Sequence, residues 1–128
     1  MGTRSLTFVY DDTETPLVCL YRQFDGYPSC HGVDLAMFLS GKTIVNGFNP
    51  NQNNENFANG MDCLAAQLIA KLKTGIGNIY IIPIDSKDVG EEYVYHIYNN
   101  RVIVEGFGKQ IFRGSWKKFD EFCAESVE

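Results

Sequence analysis

The chain reads as an α+β domain: an antiparallel sheet of about five or six strands, capped by two main helices and a short carboxyl-terminal helix. Three observations lead there. Two β-rich runs near the amino end, Ser5 to Asp11 and Pro16 to Arg22, are joined by a polar connection of hairpin length. A second pair of alternating runs flanks the dipeptide Asn99-Asn100. Between the pairs, Met61 to Leu72 carries apolar residues at the spacing of a single helical stripe. At 128 residues the chain is one domain, 1–128, long enough to hold a core without disulfide or metal.

The elements follow in order. In the first strand Leu6, Phe8 and Tyr10 share a face, and in the second Leu17, Cys19 and Tyr21 oppose Val18, Leu20 and Arg22. Gln23 to Gly32 shows neither period and is an ordered loop. Ser29 is positioned to cap a short helix to about Ser40, with Leu35, Phe38 and Leu39 inward and Gly41 as its stop. Asn46 to Asn59 holds seven asparagines, among them Asn53, and is a long polar loop. A lid over a pocket and a plain surface excursion both fit it. Asn59 then caps the strongest helix, in which Met61, Leu64, Ala65, Leu68, Ile69 and Leu72 form the core stripe and Lys71 and Lys73 suit the carboxyl end.

Asn78 to Ile84 is a nearly continuous apolar run that Pro83 confines to an edge or an end of a sheet. Asn99-Asn100 suits a two-residue hairpin turn, which sets the pairing of Glu92 to Tyr98 with Arg101 to Phe107. Ile97 with Val102 and Tyr95 with Val104 then face the core. The other side gathers Tyr98, His96, Arg101 and Glu105, more aromatic and charged than ordinary solvent-facing filler. Gln110 to Arg113 adds a strand, and Ser115 caps a last helix that points Trp116, Phe119, Phe122 and Cys123 inward. That helix opposes its own dipole, with Lys117 and Lys118 early and Glu121, Glu125 and Glu128 late, so fraying is expected after Cys123.

The net charge of -5 argues against coating long nucleic acid or an anionic membrane, both of which need a broad positive field. An anion would have to be held by a few local arginines. The four cysteines form no Cys-x-x-Cys pair, so reduced thiols in a cytoplasmic protein fit best, and neither a signal segment nor a membrane span is expected. Two histidines and no spaced carboxylate cluster suggest no metal, and no glycine-rich phosphate loop suggests a cofactor. For catalysis the nominees are Asp25, His31 and Glu105 as acid and base, with Cys30 a weak nucleophile because its neighbour His31 points elsewhere on a helix start.

Binding is better supported. Arg4, Arg22, Arg101 and Arg113 all lie on or beside strands, where a rigid backbone can hold a guanidinium fork for phosphate. Tyr21, Phe24, Tyr27, Tyr98 and Phe112 lie near them and can stack on a purine. Arginine for phosphate and an aromatic for a base are the minimum kit for a nucleotide. The same residues also fit sheet aromatics with arginines paired to acids.

The opening Met1-Gly2-Thr3-Arg4-Ser5-Leu6-Thr7-Phe8-Val9-Tyr10, the block Tyr21-Arg22-Gln23-Phe24-Asp25-Gly26-Tyr27-Pro28, His31-Gly32 and Leu35-Ala36-Met37-Phe38-Leu39 resemble the first-described family of phage Thoeris anti-defence proteins. These are small cytosolic sponges for the cyclic ADP-ribose signal made by bacterial TIR-domain enzymes. The similarity is most specific over the first 40 or so residues and looser beyond. Cys30 departs from it, standing where a small residue such as glycine is expected. The resemblance implies a protein that sequesters a cyclic ADP-ribose isomer, such as the glyco-cyclic form, without cleaving it. It further implies recessed pockets near the interfaces of a homo-oligomer, a dimer or hexamer, and in some members separate sites for cyclic oligonucleotides. Arg22, Phe24, Asp25 and Tyr27 stand in the similar block. His31 is a turn residue or a donor to a bound anion, and Asn99, Arg101 and Arg113 are added on chemistry. The alternative is a hydrolase of a cyclic nucleotide signal.

Overall fold

Strands β1 (Ser5–Tyr10) and β2 (Pro16–Arg22) form the expected hairpin, with Ser5 opposite Arg22 and Phe8 opposite Cys19. Its turn is built by Asp11, whose carboxylate accepts from the Thr13 and Thr15 backbone N–H groups, each at 2.9 Å, and from the Thr13 hydroxyl at 2.7 Å. Those bonds hold the Asp11 carboxyl below its ordinary range. The structure, a computed structural model, describes residues 2–52 and 54–126. Met1, Asn53 and Glu128 lie outside the described residues.

Beyond this hairpin come α1 (Val33–Leu39), β3 (Thr43–Val45), β4 (Phe57–Asn59), α2 (Gly60–Leu72), β5 (Ile79–Ile82), β6 (Tyr93–Ile97), β7 (Val102–Gly106), β8 (Lys109–Gly114) and α3 (Trp116–Glu125). The main sheet has six strands in the order β5-β2-β1-β6-β7-β8. It is mostly antiparallel, and the exception is the central pair: β1 runs parallel to β6, with Ser5 beside Tyr93 and Val9 beside Ile97. The cause is the crossover. Strand β5 takes the free edge of β2, so the closing hairpin must dock on β1, and residues 83–92 carry the chain back to the end where β1 starts.

The helices cover one face. Val9, Leu20, Tyr95, Ile97, Val102 and Val104 from the sheet meet Leu35, Leu39, Leu64, Leu68 and Phe119 from the helices in the principal core. A smaller cluster, Leu6, Phe8 and Cys19, is buried on the opposite face. Burial first, and the Glu91 charge second, push the Cys19 thiol up to about 11. All four cysteines are free thiols. Among the described residues no helix is long and apolar enough to cross a membrane.

Several local expectations need correction. Ser29 does not cap α1: Tyr27 is extended, as the residue before a proline must be, and the chain enters through a wide turn over Pro28–Gly32 without a side-chain cap. The asparagine-rich stretch is not loop throughout, because β4 pairs in parallel with β3 at its end. Its asparagines make turns, Asn49 accepting from the Asn51 N–H and Asn54 from the Asn56 N–H. Asn59 leaves α2 uncapped and instead accepts from the Gly47 N–H at 2.6 Å.

The closing hairpin has the expected pairing, with His96 opposite Ile103 and Tyr95 opposite Val104. Ser115 caps α3 by accepting from the Lys118 N–H at 3.2 Å, and the helix continues past Cys123 to Glu125. Strand β5 is an edge, as Pro83 requires, and Lys73 blunts it by donating to the Ile79 carbonyl at 2.8 Å.

Candidate functional site

Arg22 ends β2 on the helix-covered face, and its guanidinium is held on three sides. Nε donates to the Phe24 carbonyl at 2.7 Å, Nη1 to Asp34 at 2.9 Å and to His31 Nδ1 at 3.1 Å, and Nη2 to the Cys30 sulfur at 3.7 Å. The Arg22 side chain is 12% exposed, whereas Asp34 is 45% exposed. The loop between β2 and α1 is fixed just as firmly. Tyr95 donates its hydroxyl to the Gly26 carbonyl at 2.7 Å, and Asn78 accepts from the Phe24 N–H at 2.9 Å. Gly26 is required, because a Cβ there would lie 2.7 Å from the Ser5 Cβ and 2.9 Å from the Thr3 carbonyl oxygen. Asp25 is exposed and adopts the left-handed conformation, φ 61°, that lets its carbonyl receive the His31 N–H.

His31 is 1% exposed and fully engaged, with Nε2 2.7 Å from the Thr7 hydroxyl and Nδ1 facing Arg22. Since the guanidinium can only donate, Nδ1 accepts and the proton sits on Nε2. Burial first, and the Arg22 charge second, push this imidazole down from 6.5 to about 3. The unfolded chain therefore binds a proton that the native state refuses between those values. Stability is fully present above about pH 6.5 and falls as the pH drops towards 3, with a slope from this group of at most about 1.4 kcal/mol per pH unit. Denaturant titrations at pH 7 and pH 4.5 should show the loss, and His31→Gln should flatten it; an equal slope in the variant would assign the dependence elsewhere.

Arg22 opens onto a groove of about 370 Å³ between the α1 and α2 layers, bounded also by Met37, Phe38, Lys71 and Asn78. A second hollow of about 340 Å³ continues it past Lys71 and Phe38 to Lys42, Glu55 and Asn56. The Lys42 ammonium lies 4.6 Å from the Phe38 ring centroid and bonds the Glu55 carbonyl. Arg22, Lys71 and Lys42 thus line the two hollows together with two acids, Asp34 and Glu55. Met37, 71% exposed, supplies an adaptable apolar wall. Such a groove can take a compact anion with a flat apolar part.

The remaining expected residues lie elsewhere. Thr7 and Phe8 are successive and so face opposite sides, and the second cluster is on the Phe8 side. There His96 stacks on Phe8 at 5.5 Å, with Nε2 2.8 Å from the Glu105 carboxylate and Nδ1 2.6 Å from the Tyr10 hydroxyl. Tyr98 stacks on Tyr10 at 4.3 Å and carries Arg101 on its ring at 3.9 Å. Arg101 pairs with Glu14 at 3.2 Å, and Asn99 donates to Asp12 at 2.9 Å. Arg113, exposed, sits opposite Ile103 on the same face.

Arg22, Phe24, Asp25, Tyr27 and His31 therefore come together where β1 begins, while Asn99, Arg101 and Arg113 gather where it ends, on the other face. Lys42, Lys71, Asp34 and Asn78 escape the sequence reading. Lys71 reads as an ordinary helix-end lysine, and only the tertiary fold brings the end of α2 to the same groove as Arg22. No family model, curated protein or solved structure matches the chain.

Proposed function

We propose that this protein binds and sequesters a cyclic ADP-ribose isomer, such as the glyco-cyclic form, without cleaving it, and so acts as a phage anti-defence protein against TIR-domain signalling in the host cytoplasm. One observation carries the reading. Of the residues that bear the resemblance, Arg22, Met37 and Phe38 line one groove, together with Asp34, Lys71 and Asn78. In this reading Arg22 and Lys71 hold the two phosphates, and Met37 and Phe38 flank the adenine end. Phe24 is half exposed on the loop whose backbone is tied to Asn78 of the groove lining. Sequestration needs affinity and copies of the protein rather than turnover.

Assembly is part of the proposal. Asn99, Arg101 and Arg113 face away from the groove, so they can meet a ligand there only from another copy in a dimer or hexamer. Calorimetric titration with cyclic ADP-ribose isomers should give one ligand per groove at micromolar affinity or better, about -8 kcal/mol. Heatless titrations with every isomer, at protein concentrations near 100 μM as a rough setting, would remove the proposal.

A further inference from the structure

Arginines on protein surfaces are long and mobile, so a guanidinium tied down at its inner edge has been made rigid at some entropic cost. At Arg22 the tie runs through a buried polar pair that nothing else in the fold requires. Thr7 sits in the middle of β1, 1% exposed, at a position facing the apolar core, where a valine would satisfy the strand. It instead meets His31, also buried, and His31 passes the contact on to Arg22. A buried polar chain that ends on an arginine at the mouth of a groove has a use for that arginine.

We propose that the Thr7–His31 pair is a positioning device that holds the Arg22 guanidinium as a rigid donor for a compact polyphosphate anion in the groove between α1 and α2. This rests on the groove being the ligand site proposed above. The imidazole is suited to the task because it stays neutral against the adjacent guanidinium and so accepts rather than repels. The donors divide accordingly. One Nη1 hydrogen points inward to the buried His31, Nε to the carbonyl of the half-exposed Phe24, and one Nη2 hydrogen to Cys30. The other Nη1 hydrogen goes to the exposed Asp34 carboxylate, and one Nη2 hydrogen remains. Asp34 thus occupies the edge of the fork that a phosphate would take, and a diphosphate, with two charges spread over its oxygens, can displace a solvated carboxylate where a single carboxylate ligand cannot. His31 and Thr7 never touch the ligand; they act through Arg22.

The test uses the full chain, with His31→Leu to cut the chain of contacts and His31→Gln to restore it, since the glutamine amide can accept from Arg22 and donate to Thr7. Inorganic pyrophosphate and cyclic ADP-ribose are the probes, and proton–nitrogen NMR of the Arg22 Nε–H reports its order without any ligand. In the wild type this N–H should be rigid and slow to exchange, and His31 should carry its proton on Nε2. In His31→Leu the Arg22 signal should broaden or exchange at least tenfold faster and pyrophosphate affinity should fall about tenfold. His31→Gln should recover both to within about threefold, whatever either variant does to the melting temperature. An Arg22 N–H equally ordered in His31→Leu overturns the positioning role, as does wild-type protein that binds neither probe. Binding of pyrophosphate but not of cyclic ADP-ribose isomers would support the positioning role and remove the proposed function instead.

Discussion

Replacing Arg22 by alanine should weaken ligand binding roughly 10- to 100-fold, the loss expected when a charge-assisted hydrogen bond of about 1.5–3 kcal/mol to phosphate is removed. The protein should stay folded. Asp34, half exposed, is rehydrated easily, but the buried His31 Nδ1 loses its donor, an expense of about 1–3 kcal/mol. That lowers the melting temperature without abolishing the transition. Arg22→Lys should recover little, because an ammonium cannot serve the Phe24 carbonyl, His31 and Asp34 at once. Calorimetry on both variants, with Arg113→Ala beside them, checks this. If Arg22→Ala binds like the wild type, the groove is not the phosphate site. If Arg113→Ala loses as much as Arg22→Ala, the site is shared between two copies.

Phe119→Ala should have the largest effect on stability, about 3–5 kcal/mol. Phe119 is fully buried where α3 meets the sheet, edge-on to Tyr95 with centroids 6.4 Å apart and tilted against Phe112 at 5.9 Å. Its removal leaves a cavity under a helix whose first turn carries no acid, so packing rather than the dipole holds that helix down. Against a native stability of about 5–15 kcal/mol, the loss lowers the melting temperature by roughly 10–20 °C. Because α1 packs on α3, the loop that frames Arg22 loosens as well. Urea unfolding measures the effect, and a change under about 1 kcal/mol would mean that α3 is not docked as described.

What was legible in the sequence was what depends on neighbours along the chain. Asn99-Asn100 between alternating runs is enough to set the β6–β7 pairing, and the stripe from Met61 to Leu72 is enough to orient α2. The parallel contact of β1 with β6 was not legible, because it joins strands more than 80 residues apart and depends on β5 having already taken the edge of β2. Asn59 shows a related failure. An asparagine before a helix is a good cap on local rules, but the Gly47 N–H, brought close by the β3–β4 pair, competes for its oxygen.

The site divides in the same way. Arg22 could be chosen because a strand-borne arginine beside aromatic residues is conspicuous, yet Lys71 lines the same groove, and Lys42 the hollow beside it, only through the tertiary fold. Arg101 was conspicuous for the same reason as Arg22, and here the plainer expectation fits its contacts: it lies on Tyr98 and pairs with Glu14. His31 could not be told from a ligand donor without knowing that the turn before α1 lays it on Thr7 of β1.

Sequestration without cleavage comes down to the fate of the ligand. The protein is incubated with a cyclic ADP-ribose isomer, free ligand is removed by filtration, and the retained complex is heat-denatured so that the supernatant can be examined by chromatography. A sponge returns the intact cyclic ligand in amounts stoichiometric with the grooves, and the recovered material again activates the TIR-dependent effector. Progressive loss of ligand over many equivalents, with linear ADP-ribose or smaller products in its place, would show an enzyme and contradict the proposed function.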